Sequence, residues 1–206
     1  MDAEGRGTQS AVAAGSPLED TLEAIAERLT RVTVEVRGRQ FGHGSGVIWR
    51  PDGVIVTNAH VVRGPVTVML SDRRTFSARV LAWDPSRDLA ALRIAADELP
   101  SAEIGDAKRL GPGSVVLAVG HPLGLKGALT LGLIHGIGSP GASGPPGPSG
   151  AAPWIRAHLR LAPGSSGGPL ADARGRVIGI NTMIAGGLAI AIPSAEVERF
   201  LDGAMR

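Results

Sequence analysis

The chain has 206 residues, 43 % of them apolar, a formal charge of +2 and no cysteine. That apolar content is enough for one large packed unit or two small ones, and the lack of cysteine excludes disulfides and thiolate metal sites as the source of stability. A nucleic-acid surface is excluded too, because no basic run exceeds two residues, Lys108 and Lys126 are the only lysines, and tyrosine is absent.

No window approaches the ~18 apolar residues of a membrane span, and the acidic start Met1-Asp2-Ala3-Glu4-Gly5 does not lead into a signal-peptide core. The expectation is therefore a chain without a membrane span, cytoplasmic by default, or in the cell envelope if a leader has been removed.

Residues 1–15 are small, polar and aperiodic, and are expected to be a disordered lead. Ser16-Pro17-Leu18-Glu19 then combines an N-cap serine, a proline at the first helical position and a capping-box glutamate. Leu18, Leu22, Ile25 and Leu29 follow at helical spacing. From Arg31 the period changes to two. Val32, Val34 and Val36 alternate with Arg31, Thr33 and Glu35, which predicts a half-buried strand with one polar face.

Gly42-His43-Gly44-Ser45-Gly46 leads into a strand over Val47 to Trp49, and Arg50-Pro51-Asp52-Gly53 reads as the turn of a hairpin returning over Val54 to Thr57. Further strands are predicted at Val66 to Leu70, Thr75 to Trp83 and Leu89 to Ile94. After a polar connection, the second half offers Ser114 to Val119, Ala128 to Ile134, Trp154 to Leu161, Leu170 to Ala171, Val177 to Met183 and Leu188 to Ile192. A last helix follows Pro193-Ser194, with Val197, Phe200 and Leu201 on its apolar face. Short strands with turn chemistry at this interval predict antiparallel all-β barrels. Glycine at every third position from Gly138 to Gly150 imitates a collagen repeat, but the run is far too short for a triple helix and reads as a surface loop.

Three segments carry chemistry. Pro163-Gly164-Ser165-Ser166-Gly167-Gly168-Pro169-Leu170 leaves one hydroxyl, that of Ser166, on a turn made of glycines. Thr57-Asn58-Ala59-His60-Val61-Val62 supplies a base, and Asp88, opening Leu89-Ala90-Ala91-Leu92, supplies a carboxylate to orient it. Asp84 competes for the carboxylate role, being four residues earlier in the same connection.

The order His60, Asp88, Ser166, together with Gly44-Ser45-Gly46-Val47-Ile48, Gly120-His121-Pro122-Leu123-Gly124-Leu125, Gly175 to Thr182 and Ala189 to Ser194, resembles the chymotrypsin-fold serine proteases, and among them the HtrA (high-temperature-requirement) branch. The resemblance implies two six-stranded antiparallel barrels, the first within about residues 16–105 and the second within about 112–206, with the site between them. It implies a serine endopeptidase acting on unfolded or extended polypeptides in protein quality control, with no cofactor and no metal. Its rival is a protease fold that is catalytically silent or activated by a partner.

Carried over residue by residue, the resemblance makes His60, Asp88 and Ser166 the catalytic triad and the N–H groups of Gly164 and Ser166 the oxyanion hole. Arg160, Leu161 and Ile190 would line the primary specificity pocket, and the substrate strand would lie along Ala185 to Ala189. Four departures stand out. Ser165 replaces the aspartate that digestive members pair with a newly cut N-terminus, so activation by such a cut is not expected. His158 and Arg160 stand where HtrA-like proteins carry aspartate and small residues. The family's C-terminal PDZ domain has no counterpart before Arg206. No aromatic precedes Phe41, which removes the family's basis for a trimer and leaves other homo-oligomers open.

Overall fold

The computed structural model describes residues 16–38, 43–121, 128–138 and 153–205. The predicted lead over residues 1–15 and most of the glycine-rich insert lie outside these residues. Helix α1 (Pro17–Val32) starts as the sequence predicts, with Ser16 Oγ accepting from the Glu19 N–H and Glu19 accepting from the Ser16 N–H. Strands β1 (Thr33–Gly38), β2 (His43–Arg50), β3 (Val54–Thr57), β4 (Val66–Met69), β5 (Thr75–Asp84) and β6 (Leu89–Arg93) close into one antiparallel barrel in the order β1-β2-β3-β6-β5-β4. A second closed barrel, β10-β11-β12-β9-β8-β7, is built from β7 (Val115–Gly120), β8 (Ala128–Gly138), β9 (Trp154–His158), β10 (Pro169–Asp172), β11 (Val177–Ala185) and β12 (Leu188–Pro193). Helix α2 (Ser194–Ala204) ends the chain.

Strand alternation sends successive residues to opposite faces, and here both faces find apolar partners. In β3, Ile55 points into the first barrel, where it meets Val34, Val36, Ile48 and Leu92. Val54 and Val56 point the other way, into a second core shared with Leu117, Val119 and Ile180 of the other barrel. Ile25 and Leu29 of α1 and Phe200 and Leu201 of α2 complete that shared core, so each helix packs where the barrels meet. The interior of the second barrel is a third cluster, including Val116, Ile134, Ile155, Leu170 and Ile178.

This double burial corrects the reading of β1. Val32 belongs to the helix, and Thr33 and Glu35, expected on a solvated face, are buried. The face opposite Val34 and Val36 is turned toward the second barrel, not to water. The Thr33 hydroxyl satisfies itself on the Leu29 carbonyl.

Because Leu29 is buried against both barrels, Leu29→Ala should cost about 2–5 kcal/mol of stability. Chemical denaturation read by tryptophan fluorescence measures the loss.

Candidate active site

His60 sits in a 3₁₀ turn, Ala59–Val61, that follows β3. Asp88 stands at the end of the β5–β6 turn with φ of 53°, a left-handed conformation that aspartate tolerates better than most residues. Two side chains hold that turn from either side. Asn58 Nδ2 donates to the Asp88 carbonyl at 2.9 Å, and the Asp84 carboxylate accepts from the Ser86 N–H and hydroxyl and from the Arg87 N–H. Burial pushes the Asp84 carboxyl up, but the Ser86 hydroxyl, the neighbouring backbone N–H groups and the Arg87 charge outweigh it and hold the group below the usual carboxylate range. Asp84 thus shapes the turn, and Asp88 is the carboxylate that meets His60.

That contact is close. Both carboxylate oxygens of Asp88 lie 2.9 Å from His60 Nδ1, and Oδ1 also accepts the His60 backbone N–H at 3.1 Å. Two bonds to one carboxylate fix both the turn and the ring, leaving Nε2 directed away from the acid. From the second barrel the Thr182 hydroxyl donates to Asp88 Oδ2, a contact that no local pattern in the sequence announced. The His60 side chain is 46 % exposed and that of Asp88 only 16 %, so the base faces the cleft and the acid stands behind it.

Ser166 comes from the loop between β9 and β10. Its hydroxyl donates to the Thr182 carbonyl at 3.0 Å, and among the described residues no hydrogen bond joins it to His60. Gly164 is the third residue of a turn closed by the Ser165 N–H on the Ala162 carbonyl at 2.9 Å, with Pro163 before it and φ of 100°, the type II pattern. The N–H groups of Gly164 and Ser166 have no hydrogen-bond partner among the described residues and are available to a ligand. Gly167, at φ of 85°, could not be another residue, since a Cβ there would come within 2.1 Å of the Ser45 carbonyl.

Of the three residues expected to line a specificity pocket, Ile190 is buried on β12 opposite Met183. Leu161 is half-buried against the core of the second barrel. Arg160 is exposed, makes no hydrogen bond or ion pair among the described residues, and borders a cavity of about 330 Å³ with Thr130, Leu161 and Ser165. The expected substrate edge needs correcting. Residues 185–189 span the β11–β12 hairpin turn, with Ala185 opposite Leu188 and both Gly186 and Gly187 at positive φ, so no added strand can pair there. The open edge lies just before it. β10 pairs with β11 only as far as Ile180, which leaves Thr182 to Ile184 unpaired on the side facing Ser166, with Met183 and Ile184 exposed.

Sequence reasoning also missed a polar group in the interface between the barrels. Glu35 is buried, bonded by Arg37 Nε at 2.7 Å and faced by His43 Nδ1 at 3.3 Å. Burial pushes its carboxyl up, but the Arg37 hydrogen bond and charge, with smaller contributions from His43 and His121, bring it below the usual carboxylate range.

Two closed barrels, with a histidine–aspartate pair carried by one and a serine on a glycine turn carried by the other, define a protein of the chymotrypsin-like class. A trypsin-like peptidase domain signature matches residues 44–180, and the chain belongs to that family. It is 42 % identical over 161 residues to a protein named putative serine protease HhoB of Synechocystis sp., covering 75 % of this chain and 38 % of the relative. A probable periplasmic serine endoprotease, DegP-like, of Marinomonas sp. is 40 % identical over 174 residues, 81 % of this chain and 36 % of that protein. Among solved structures, the HtrA-type protease AlgW with a tripeptide superimposes with a TM-score of 0.79 at 31 % identity, covering 87 % of this chain and 62 % of that one. The chain spans less than half the length of these two curated relatives.

A carboxyl held low in the fold contributes stability above the unfolded-state value and loses it as pH falls through the folded value. Glu35→Gln should therefore destabilise on the order of 1 kcal/mol near pH 6, an effect kept small because Arg37 is 60 % exposed. The difference from wild type should shrink as pH falls through the folded-state value, which lies below the usual carboxylate range. Thermal unfolding of the two proteins as a function of pH checks it.

Proposed function

We propose that the protein is a serine endopeptidase that cuts unfolded or extended polypeptide segments in protein quality control, with His60, Asp88 and Ser166 as its triad. The observation that carries this reading is the His60–Asp88 pair on one barrel, together with two backbone N–H groups on the Ser166 loop of the other that have no partner among the described residues. In the reaction, Ser166 turns from the Thr182 carbonyl toward His60 Nε2, a rotation about one side-chain bond. Its oxygen bonds to the substrate carbonyl carbon while the hydroxyl proton passes to Nε2. The resulting oxyanion is held by the Gly164 and Ser166 N–H groups. The C–N bond then breaks, the amine leaves with the proton from His60, and an ester to Ser166 remains. Water, giving its proton to His60, hydrolyses the ester and restores Ser166. Asp88, fixed by Thr182, stabilises the imidazolium in both halves.

Substrate selection follows from the open edge. An extended peptide added along Thr182 to Ile184 is held by main-chain bonds, which suits segments of varied sequence. Arg160 is exposed, so the primary pocket is left to Leu161 and Ile190 and favours aliphatic side chains. The type II turn at Gly164 supports an oxyanion hole formed at rest, and so favours a standing enzyme over a partner-activated or silent module. A fluorophosphonate probe tests the reading: wild type should be labelled and Ser166→Ala should not, and Asp88→Asn should lose about 10⁴-fold in kcat. A folded wild type that is never labelled would exclude the enzyme.

Alternation along the substrate points the residue preceding the cut-site residue away from the second barrel, toward His60 and Trp83. Trp83 is 55 % exposed yet tethered, its Nε1 donating to the Ala59 carbonyl at 3.0 Å. Peptides apolar at that position should be preferred, and Trp83→Ala should cut kcat/KM about tenfold for them and less than about twofold for glycine there. Paired peptide assays read the difference.

A further inference from the structure

Ser45 is fully buried on β2, in the first barrel, yet its bonds run to the loops of the second. Its hydroxyl donates to the Gly164 carbonyl at 2.7 Å and accepts the His121 N–H at 3.0 Å. Its backbone N–H donates to the Ser166 carbonyl at 2.8 Å. Its own carbonyl accepts the Thr57 hydroxyl at 2.7 Å and lies so near Gly167 that a side chain there could not be accommodated. Four bonds therefore converge on one small residue, and two of them end on the residues whose N–H groups have no partner among the described residues.

We infer that Ser45 is a positioning residue that holds the oxyanion hole in place from the opposite barrel. A peptide unit is planar, so a pinned carbonyl fixes the plane of its peptide. Pinning Gly164 O sets the Gly164–Ser165 peptide, whose N–H closes the turn on Ala162. Pinning Ser166 O sets the peptide that leads into Gly167. The residues between are held at both ends, and the free N–H groups of Gly164 and Ser166 keep a fixed place relative to His60, which the same barrel carries. Oxyanion donors act at about 2.7–3.1 Å, so drift of a few tenths of an ångström at the loop weakens them in the transition state without touching the substrate's binding edge. A serine is the residue that can do this. Its side chain is short enough to fit beside Gly120 and Gly168, where a Cβ on either glycine would crowd it, and its hydroxyl donates and accepts at once.

This inference rests on the proposed peptidase activity and is tested with Ser45→Ala on a peptide that the wild type cuts. Expected is a kcat lower by about 10–100-fold with KM within about threefold. A peptide aldehyde, which forms a tetrahedral adduct, should lose affinity in step with kcat/KM, while an uncleavable peptide amide binds unchanged. Loss of all three together, or a kcat within about twofold of wild type, overturns the clamp. If Ser45→Ala does not fold, Ser45→Cys carries the same measurements, since a thiol of similar shape is a weak donor. No turnover and no fluorophosphonate labelling of the wild type would remove the peptidase reading itself, whereas an active wild type matched by Ser45→Ala removes only the clamp.

Discussion

The constraint on which the rest depends is that the proposed base and nucleophile are carried by different barrels. His60 and Asp88 belong to the first and Ser166 to the second, so the site exists only while the two bodies keep a fixed register. Apolar burial supplies the holding force through Val47, Val56 and Leu89 against Leu117, Val119 and Ile180, with a helix packed on each side. Such packing is strong but non-directional. Direction comes from a few hydrogen bonds placed within it, Thr182 to Asp88 and Ser45 to the Gly164 and Ser166 backbone. Each joins an element of one barrel to an element of the other, and each ends on a group proposed to act in catalysis or next to one.

The same interface explains why a carboxylate is tolerated in the interior. Glu35 alternates with Val34 and Val36 and so must point at the second barrel. An unpaired charge there would cost several kcal/mol. Arg37, two residues on and on the same face, reaches back to it while keeping its own head largely in water, and His43 meets it from the paired strand. The cluster lies next to Ser45 in β2, so a group that looks like a solvated strand face in one dimension sits beside the nucleophile loop in three.

What was legible in the sequence is what local chemistry determines. The capping box announced α1, the glycines around Ser166 announced a turn, and uninterrupted apolar runs such as Val54 to Val56 announced strands. The relation of His60 to Asp88 was legible only through the order of motifs. Thr182, Asn58, Ser45 and Trp83 were not legible in their roles, because each is an ordinary polar or aromatic residue in a strand or turn. Their partners are set by how the barrels dock, as with the separation of 119 residues between Ser45 and Gly164. Reading β1 as half-buried failed for the same reason, since alternation shows that a strand has two faces but not what covers the second. The substrate edge was misplaced by only a few residues, because a strand end and the glycine turn beyond it look alike without the pairing register.

The loop that carries Ser166 shows how the fold does without the acidic residue that digestive members of the class place before the nucleophile. Ser165 is buried, and among the described residues its hydroxyl bonds only locally, accepting the Ala162 N–H at 3.4 Å. The holding bonds lie on either side of it. Upstream, Ser45 takes the Gly164 carbonyl. Downstream, Asn181 on β11 donates through Nδ2 to the Pro169 carbonyl and exchanges backbone bonds with Gly167 and Gly168. An ion pair formed with a cut N-terminus would couple the loop to an event elsewhere in the chain. Neutral hydrogen bonds from strands that are themselves inside closed barrels tie it, among the described residues, to the fold itself. The order of the loop then follows from the docking of the barrels that carry those bonds.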